Sequence, residues 1–328
     1  MSSAAARRTV TLTAVAWVVA LGAAAAVGSQ PLDLGALLEG DPVALTLLWK
    51  LRVPRALLAL LAGGALAAAG AGFQALFRNP LAEPYTLGVA SGAALGAVLA
   101  LQVAPHGWAF GAPLVYAASF LGALAVTALI VGLATARGGT STATLLLAGI
   151  AISLSSSALI LFVQYLADFH RTYRMVRWMM GGLAVVGFGE VLWAAPWVVL
   201  GVAVLVAHRR ELDLLLTGEE LAASRGVDLT RLRWIALAAT SAMVGALVAV
   251  AGPIGFVGLV VPHVLRRWTG HDHALLLPAC FLGGGAFLAL CDLAARRLLA
   301  PAELPVGVLT ALTGGPFFLW LLLRRRLG

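Results

Sequence analysis

Arginine carries most of the chemistry this sequence has to offer. Three basic clusters interrupt an otherwise apolar chain: WKLRVPR at 49–55, RTYRMVR at 171–177 and ARR at 295–297. A guanidinium is planar, permanently charged and pairs with a carboxylate through two parallel N–H bonds, so clustered arginines suit an acidic partner. Arg171, Arg174 and Arg177 stand at i, i+3 and i+6, which would place them on one broad face of a helix. Long basic side chains at helix ends also snorkel into a membrane interface, and both readings stand at this point. A longer polar stretch, HRRELDLLLTGEELAASRGVDLTRLR at 208–233, is punctuated for short helices by Leu214, Leu215, Leu221, Ala222 and Val227. Thr217 is placed to cap a helix whose first turn holds Glu219 and Glu220, and Gly226 to end it. A polar segment of this length with its own helix signals reads as a docking site for a partner protein. Last, RNPLAEPYTLG at 78–88 sets Arg78, Asn79, Glu83 and two prolines between two oily runs. Pro80 and Pro84 forbid a continuous helix there, and Asn79 is suited to hydrogen-bond the freed backbone, so the segment reads as a turn between spans.

Other chemistry is missing. The chain has no GxxxxGK[ST] loop to cradle a phosphate, no GxSxG, no HExxH and no CxxC or HxxxH metal spacing. No catalysis, metal or bound cofactor is expected of it. Cys280 and Cys291 lie about three helical turns apart in one apolar stretch, too far for a disulfide, and read as packing residues. Acids are nearly absent from the centres of the apolar runs; Glu190 and Asp292 lie near run ends. Gradient-driven carriers usually keep an ionisable group deep in the bundle, so a transporter built on this chain would draw its energy from another subunit. A secondary carrier with a broken-helix site and a non-transport membrane scaffold are the competing classes.

The elements that must position these residues are transmembrane helices. Of 328 residues 61% are hydrophobic and 11% charged, with a mean hydropathy of +0.98, against about 25% charged in soluble domains. A span needs about 20 apolar residues. Ten fit, at about 9–28, 55–76, 85–104, 111–136, 142–166, 190–207, 231–251, 254–267, 274–295 and 304–323. The chain therefore reads as an all-α polytopic membrane protein, one domain over 1–328, with both termini on one side. The first run follows Arg7 and Arg8 and is longer than a signal-peptide core, so it reads as a retained span. The eighth, GPIGFVGLVVPH at 252–263, reads as a broken or re-entrant helix whose freed backbone is buried or lines a cavity. GGALAAAGAG at 63–72 supplies small residues for close helix approach. With a cytoplasmic N-terminus, 14 of the 22 Lys and Arg fall inside, as the positive-inside rule prefers. The net charge of +8 then marks that face and gives no ground for a nucleic-acid partner. Residues 208–233 lie inside, and the clusters at 49–55, 171–177 and 295–297 lie outside.

Several separated stretches resemble one family in order. RVPRALLALLAGGALAAAGAGFQALFRNPLAEPYTLGVASGA (52–93), LTGEELAASRGV (216–227), GPIGFVGLVVPHVLRR (252–267) and AELPVGVLTALTGGPFFLWLLLRR (302–325) are similar to the FecCD-type permeases. These import cobalamin, heme or ferric siderophores with ATP-binding-cassette ATPases, and the cobalamin members look most alike. The resemblance implies ten spans of the type II importer architecture in the bacterial cytoplasmic (inner) membrane. It implies a homodimer, two ATPase subunits that hold the ATP, surrounding membrane lipid, and a periplasmic or lipoprotein substrate-binding protein. It implies that Arg52, Arg55 and Arg296 meet glutamates of that binding protein. The ATPase-coupling segment, about 208–230, would act through Leu215, Leu216, Thr217, Gly218, Glu219, Glu220, Leu221, Ala222, Arg225 and Gly226. The turn before the fifth span, GGTSTATLLLAG at 138–149, would form a cytoplasmic gate with Ser141 and Thr142. Ala143 departs there from the hydroxyl of the cobalamin-type pattern.

Overall fold

The computed structural model describes residues 3–28, 33–104, 106–109, 112–136 and 142–324. Its helices are α1 (Ser3–Ala26), α2 (Leu34–Leu38), α3 (Pro42–Thr46), α4 (Val53–Leu76), α5 (Val89–Val103), α6 (Leu114–Ala136), α7 (Thr142–Leu166) and α8 (Phe169–Met179). There follow α9 (Gly189–Ala207), α10 (Arg209–Leu216), α11 (Glu219–Ser224), α12 (Leu229–Ala251), α13 (Val257–Thr269), α14 (His273–Leu298) and α15 (Val306–Arg324). A π-helical turn, Leu47–Arg52, runs into α4, and a 3-10 turn, Pro84–Leu87, leads into α5. A two-residue antiparallel hairpin, Trp108–Ala109 with Ala112–Pro113, joins α5 to α6.

Each of the ten predicted spans contains a helix. Seven helices among the described residues are long and apolar enough to cross a membrane, and α5 and α15 are shorter apolar helices. The third span starts later than expected, because Pro84–Leu87 winds as a 3-10 turn ending at Gly88 in the left-handed region. The eighth is the 13-residue α13. Cap chemistry fixes several starts: Asp168, Asp228 and Asp272 accept N–H bonds from Arg171, Arg231 and Ala274. Such side chains satisfy donors the helix itself leaves open.

The core sits around α4. Its apolar window is 89% buried, against 17% for α7, so α4 runs through the middle and α7 along the edge. Glycine makes the tight approach possible. A Cβ at Gly63 would overlap the carbonyl of Gly284 on α14, and one at Gly70 would overlap the carbonyl of Gly258 on α13. Without those side chains the backbones of α4, α13 and α14 meet directly, the small-residue packing the run at 63–72 predicts. Cys280 and Cys291 are both free.

The helices define two faces. Arg55 and Asp292 meet at one end of α14, and Asp213 meets His273 at the other. Positions 273 and 292 stand about 28 Å apart along the α14 axis.

Candidate functional site

At the arginine face, the three predicted residues converge, but their guanidinium groups point inward. Arg52 donates from Nη1 to the Ala26 carbonyl at 2.6 Å. Arg296 donates from Nη1 to Val27 O at 3.1 Å and from Nη2 to Ala24 O at 3.3 Å. These carbonyls belong to the C-terminal end of α1, which has no intrahelical donors for them and carries the negative end of the helix dipole. Two cations from elsewhere in the chain thus cap α1. Arg52 is 4% exposed and Arg296 3%, so both guanidinium groups are tied to the end of α1 and little of either side chain faces solvent.

Arg55 is held by two acids. Its Nε donates to Asp292 Oδ2 at 3.0 Å and its Nη2 to Asp292 Oδ1 at 2.9 Å, the bidentate fork, while Nη1 reaches Glu303 Oε2 at 2.7 Å. Asp292 also takes Arg296 Nε at 3.1 Å. One buried carboxylate therefore bridges two arginines, and with Glu303 on Arg55 the three arginines and two acids leave the cluster with a net charge of +1. Arg52, Arg55, Arg296 and Glu303 line a cavity of about 260 Å³ together with Gly28, Leu47 and Val185. Lys50 and Arg297, on its border in sequence, are exposed. Sequence reasoning found the arginines and missed Asp292 as their organiser. The available signal was its being the one acid inside the run 274–295.

The cluster at 171–177 does form a helix, α8, with an N-cap at Asp168. Its arginines are not equivalent. Arg171 pairs with Asp168 at 3.1 Å and donates to Gln102 O at 2.6 Å, Arg174 is half-buried and Arg177 is exposed. Arg171 thus serves to tie α8 to the end of α5.

The broken helix at 252–256 is as expected, and the odd segment at 78–88 is what completes it. Gly252 ends α12 at φ +66°, and Phe256 starts α13 at φ +67°. The backbone between them loses its helical acceptors. The Tyr85 hydroxyl accepts the Ile254 N–H, and the Glu83 carboxylate accepts the Phe256 N–H. Burial holds the Glu83 carboxyl up, at about 7, against the opposing pull of that N–H. On the other side Gly182 N donates to Ala251 O at 2.8 Å. Gln74 Nε2 donates to Gly258 O at 3.3 Å. Asn79 accepts the Leu81 N–H at 2.9 Å, the turn-closing role its position predicts. Phe256 sits over Gly314 of α15, where any side chain would collide with its ring. The segment 78–88 is thus a clasp that supplies hydrogen-bond acceptors to a helix break, a role beyond that of a simple turn.

The segment 208–228 folds as two short helices with one anchored side. Leu212, Leu215 and Ala222 are buried, whereas Thr217, Glu220, Leu221, Arg225 and Gly226 are exposed. Leu216, Gly218 and Glu219 lie between these extremes. Thr217 is corrected: it closes α10, its hydroxyl donating back to Leu214 O at 2.7 Å, and Gly218 stands at the start of α11. Gly226, at φ +86°, ends α11 as predicted. Two polar ties bind the segment to the bundle. Glu219 Oε1 lies 2.7 Å from Arg233 Nη2 on α12, and Asp213 Oδ1 lies 2.5 Å from His273 Nδ1 on α14. Neither Asp213 nor His273 stood out in the sequence, since their partnership spans 60 residues.

Of the expected gate, Ser141 lies outside the described residues, and Thr142 is described only by its backbone, as the first residue of α7.

Comparison with known proteins agrees with this geometry. The FecCD transport family matches residues 12–324. The chain is 45% identical over 285 residues to the vitamin B12 import system permease protein BtuC of Escherichia coli O9:H4 (strain HS), covering 85% of this chain and 84% of that one. It is 42% identical over 286 residues to the protein of that name from Klebsiella pneumoniae subsp. pneumoniae, covering 85% and 83%. A solved structure described as an inward-facing conformation of a putative metal-chelate type ABC transporter superposes with a TM-score of 0.87 at 31% identity, over 97% of this chain and 99% of that one.

Proposed function

Because this chain belongs to the FecCD transport family, we propose that it is the membrane-spanning subunit of an ATP-driven importer of a metal chelate, with cobalamin as its cargo. The observation that carries this reading is the segment 208–228, fixed to the bundle through Leu212, Leu215, Ala222, Asp213 and Glu219 and bare along Glu220, Leu221 and Arg225. A chain without a nucleotide loop offers there a firm surface for a motor subunit. Identity to the vitamin B12 permeases supports the choice of cargo.

The remaining parts follow from the same reading. Two ATPases sit on the 208–228 face, which is the cytoplasmic one, with both termini on that side of the bacterial cytoplasmic membrane. A substrate-binding protein docks on the arginine face. Arg52, Arg55 and Arg296 form a basin in which two acids already offset two of the three charges, so an incoming carboxylate competes with Glu303, whose side chain is 34% exposed, rather than with Asp292 at 1%. Exposed Lys50 and Arg297 steer the encounter. A second copy of the chain packs along α7, where Leu147, Ile150, Leu154 and Leu161 are bare. The start of α7, with Ser141 and Thr142, forms the inner gate. The chain itself hydrolyses nothing.

The test is uptake into vesicles holding the permease, its ATPase and its binding protein, with cobalamin, heme and a ferric siderophore compared. Cobalamin is expected to accumulate most. A higher rank for heme or siderophore would overturn the cargo while leaving the transporter class standing.

A further inference from the structure

His273 opens α14 with a side chain that is fully buried. Asp213, on α10, is the residue it faces. One carboxylate oxygen does two jobs: Asp213 Oδ1 accepts the His273 backbone N–H at 3.0 Å and contacts the ring Nδ1 at 2.5 Å. Asp272 caps the same helix through Ala274 N at 2.8 Å. Two acids therefore share the positive end of one helix dipole, and only Asp272 is local to α14.

The ring nitrogen Nε2 is buried with no hydrogen-bond partner among the described residues. The Nδ1 contact is thus the ring's polar tie. Beside the pair opens a cavity of about 550 Å³, lined by Asp213, Leu216, Thr217, His271 and Asp272. The Asp213 carboxylate thus adds a direct polar connection between α10 and α14 to their apolar packing.

α14 is well suited to receive a push. It runs 26 residues, about 39 Å. Its middle meets α4 backbone to backbone at Gly63 and Gly284, and its far end carries Asp292 and Arg296. A shift at its first residue reaches the arginine cluster through one continuous element.

We infer that Asp213 and His273 are positioning residues that form the joint between the ATPase-docking segment and α14, so that movement of α10 is delivered to the opposite face of the membrane. This rests on the reading of 208–228 as the ATPase-docking segment. Apolar packing of Leu212 and Leu215 keeps α10 on the bundle without the joint, so loss of the joint is read as lost coupling and not as lost folding.

The test compares ATP hydrolysis and uptake in the reconstituted complex. Asp213→Ala removes both contacts of the carboxylate oxygen and is expected to keep the ATPase bound and hydrolysing, while uptake per ATP falls about tenfold or more. Asp213→Asn keeps the acceptor oxygen and is expected to restore most of that loss. His273→Ala removes only the ring contact and is expected to fall between them. The double variant Asp213→Ala/His273→Ala should lose no more than Asp213→Ala alone, as coupled residues do. Unchanged uptake per ATP in both single variants would overturn the joint, as would parallel loss of hydrolysis and uptake with the ATPase detached. If Asp213→Ala does not fold, His273→Ala decides on the same terms. Failure of the wild-type complex to take up cargo with ATP would instead overturn the docking-segment reading.

Discussion

Asp292→Ala is expected to be the most damaging single substitution on the arginine face. It removes the carboxylate shared by Arg55 and Arg296, whose side chains are 13% and 3% exposed. Two guanidinium groups would then sit with little solvent and one remaining acid between them. Breaking a buried pair from one side costs about 3–5 kcal/mol, because the partner's charge stays behind uncompensated. Glu303→Ala provides the contrast. It removes an equally short contact to Arg55, but from a side chain 34% exposed, where water replaces much of the interaction. Its loss is expected to be within about 1 kcal/mol. Thermal unfolding of the two variants in detergent, followed by tryptophan fluorescence, reads the difference. Equal stability of Asp292→Ala and Glu303→Ala would mean that Asp292 does not organise the cluster.

Gly63→Ala is expected to match it in scale for a different reason. The new methyl would occupy the space of the Gly284 carbonyl and crowd Leu288. Backbone cannot swing aside as a side-chain tip can, so α4 and α14 must separate along their length. Overpacking typically costs about 1–3 kcal/mol, and a clash against backbone puts this one at the upper end, about 3 kcal/mol. Gly22→Ala, on the exposed side of α1 with nothing within 4 Å of its Cβ, is expected to be neutral or stabilising by up to about 1 kcal/mol. Size-exclusion profiles and thermal unfolding compare them. Wild-type stability in Gly63→Ala would show that the close approach of these helices is not required.

Much of this architecture was legible in the sequence because a bilayer imposes simple rules. Ten apolar runs became ten helices, and the run GGALAAAGAG became the seam of the core. The break at GPIGF was readable because Pro253 lacks an N–H and disfavours a helical residue before it, while Gly252 readily takes the positive φ that ends α12. The pairing of that break with Glu83 and Tyr85 was not, since only the fold brings 83–85 to 254–256. The arginines show the same division. Residue type placed Arg52, Arg55 and Arg296 together on one face, but their direction depended on α1, whose last carbonyls draw two of them inward. Thr217 closes α10 and does not open α11, since a hydroxyl can bond forward to open a helix or backward to close one. Local sequence does not choose between the two; the left-standing Gly218 does, at φ +131°.

Under the proposed function, this bundle moves cargo only when a separate ATPase drives it through residues 208–228. Cobalamin accumulation against its gradient should be measured in sealed vesicles, with and without the ATPase subunit, in ATP and after collapse of the proton gradient. Accumulation is expected only with both ATPase and ATP present, with no effect of removing the proton gradient. Accumulation by the permease without the ATPase, or its loss on removing the proton gradient alone, would contradict the proposed function.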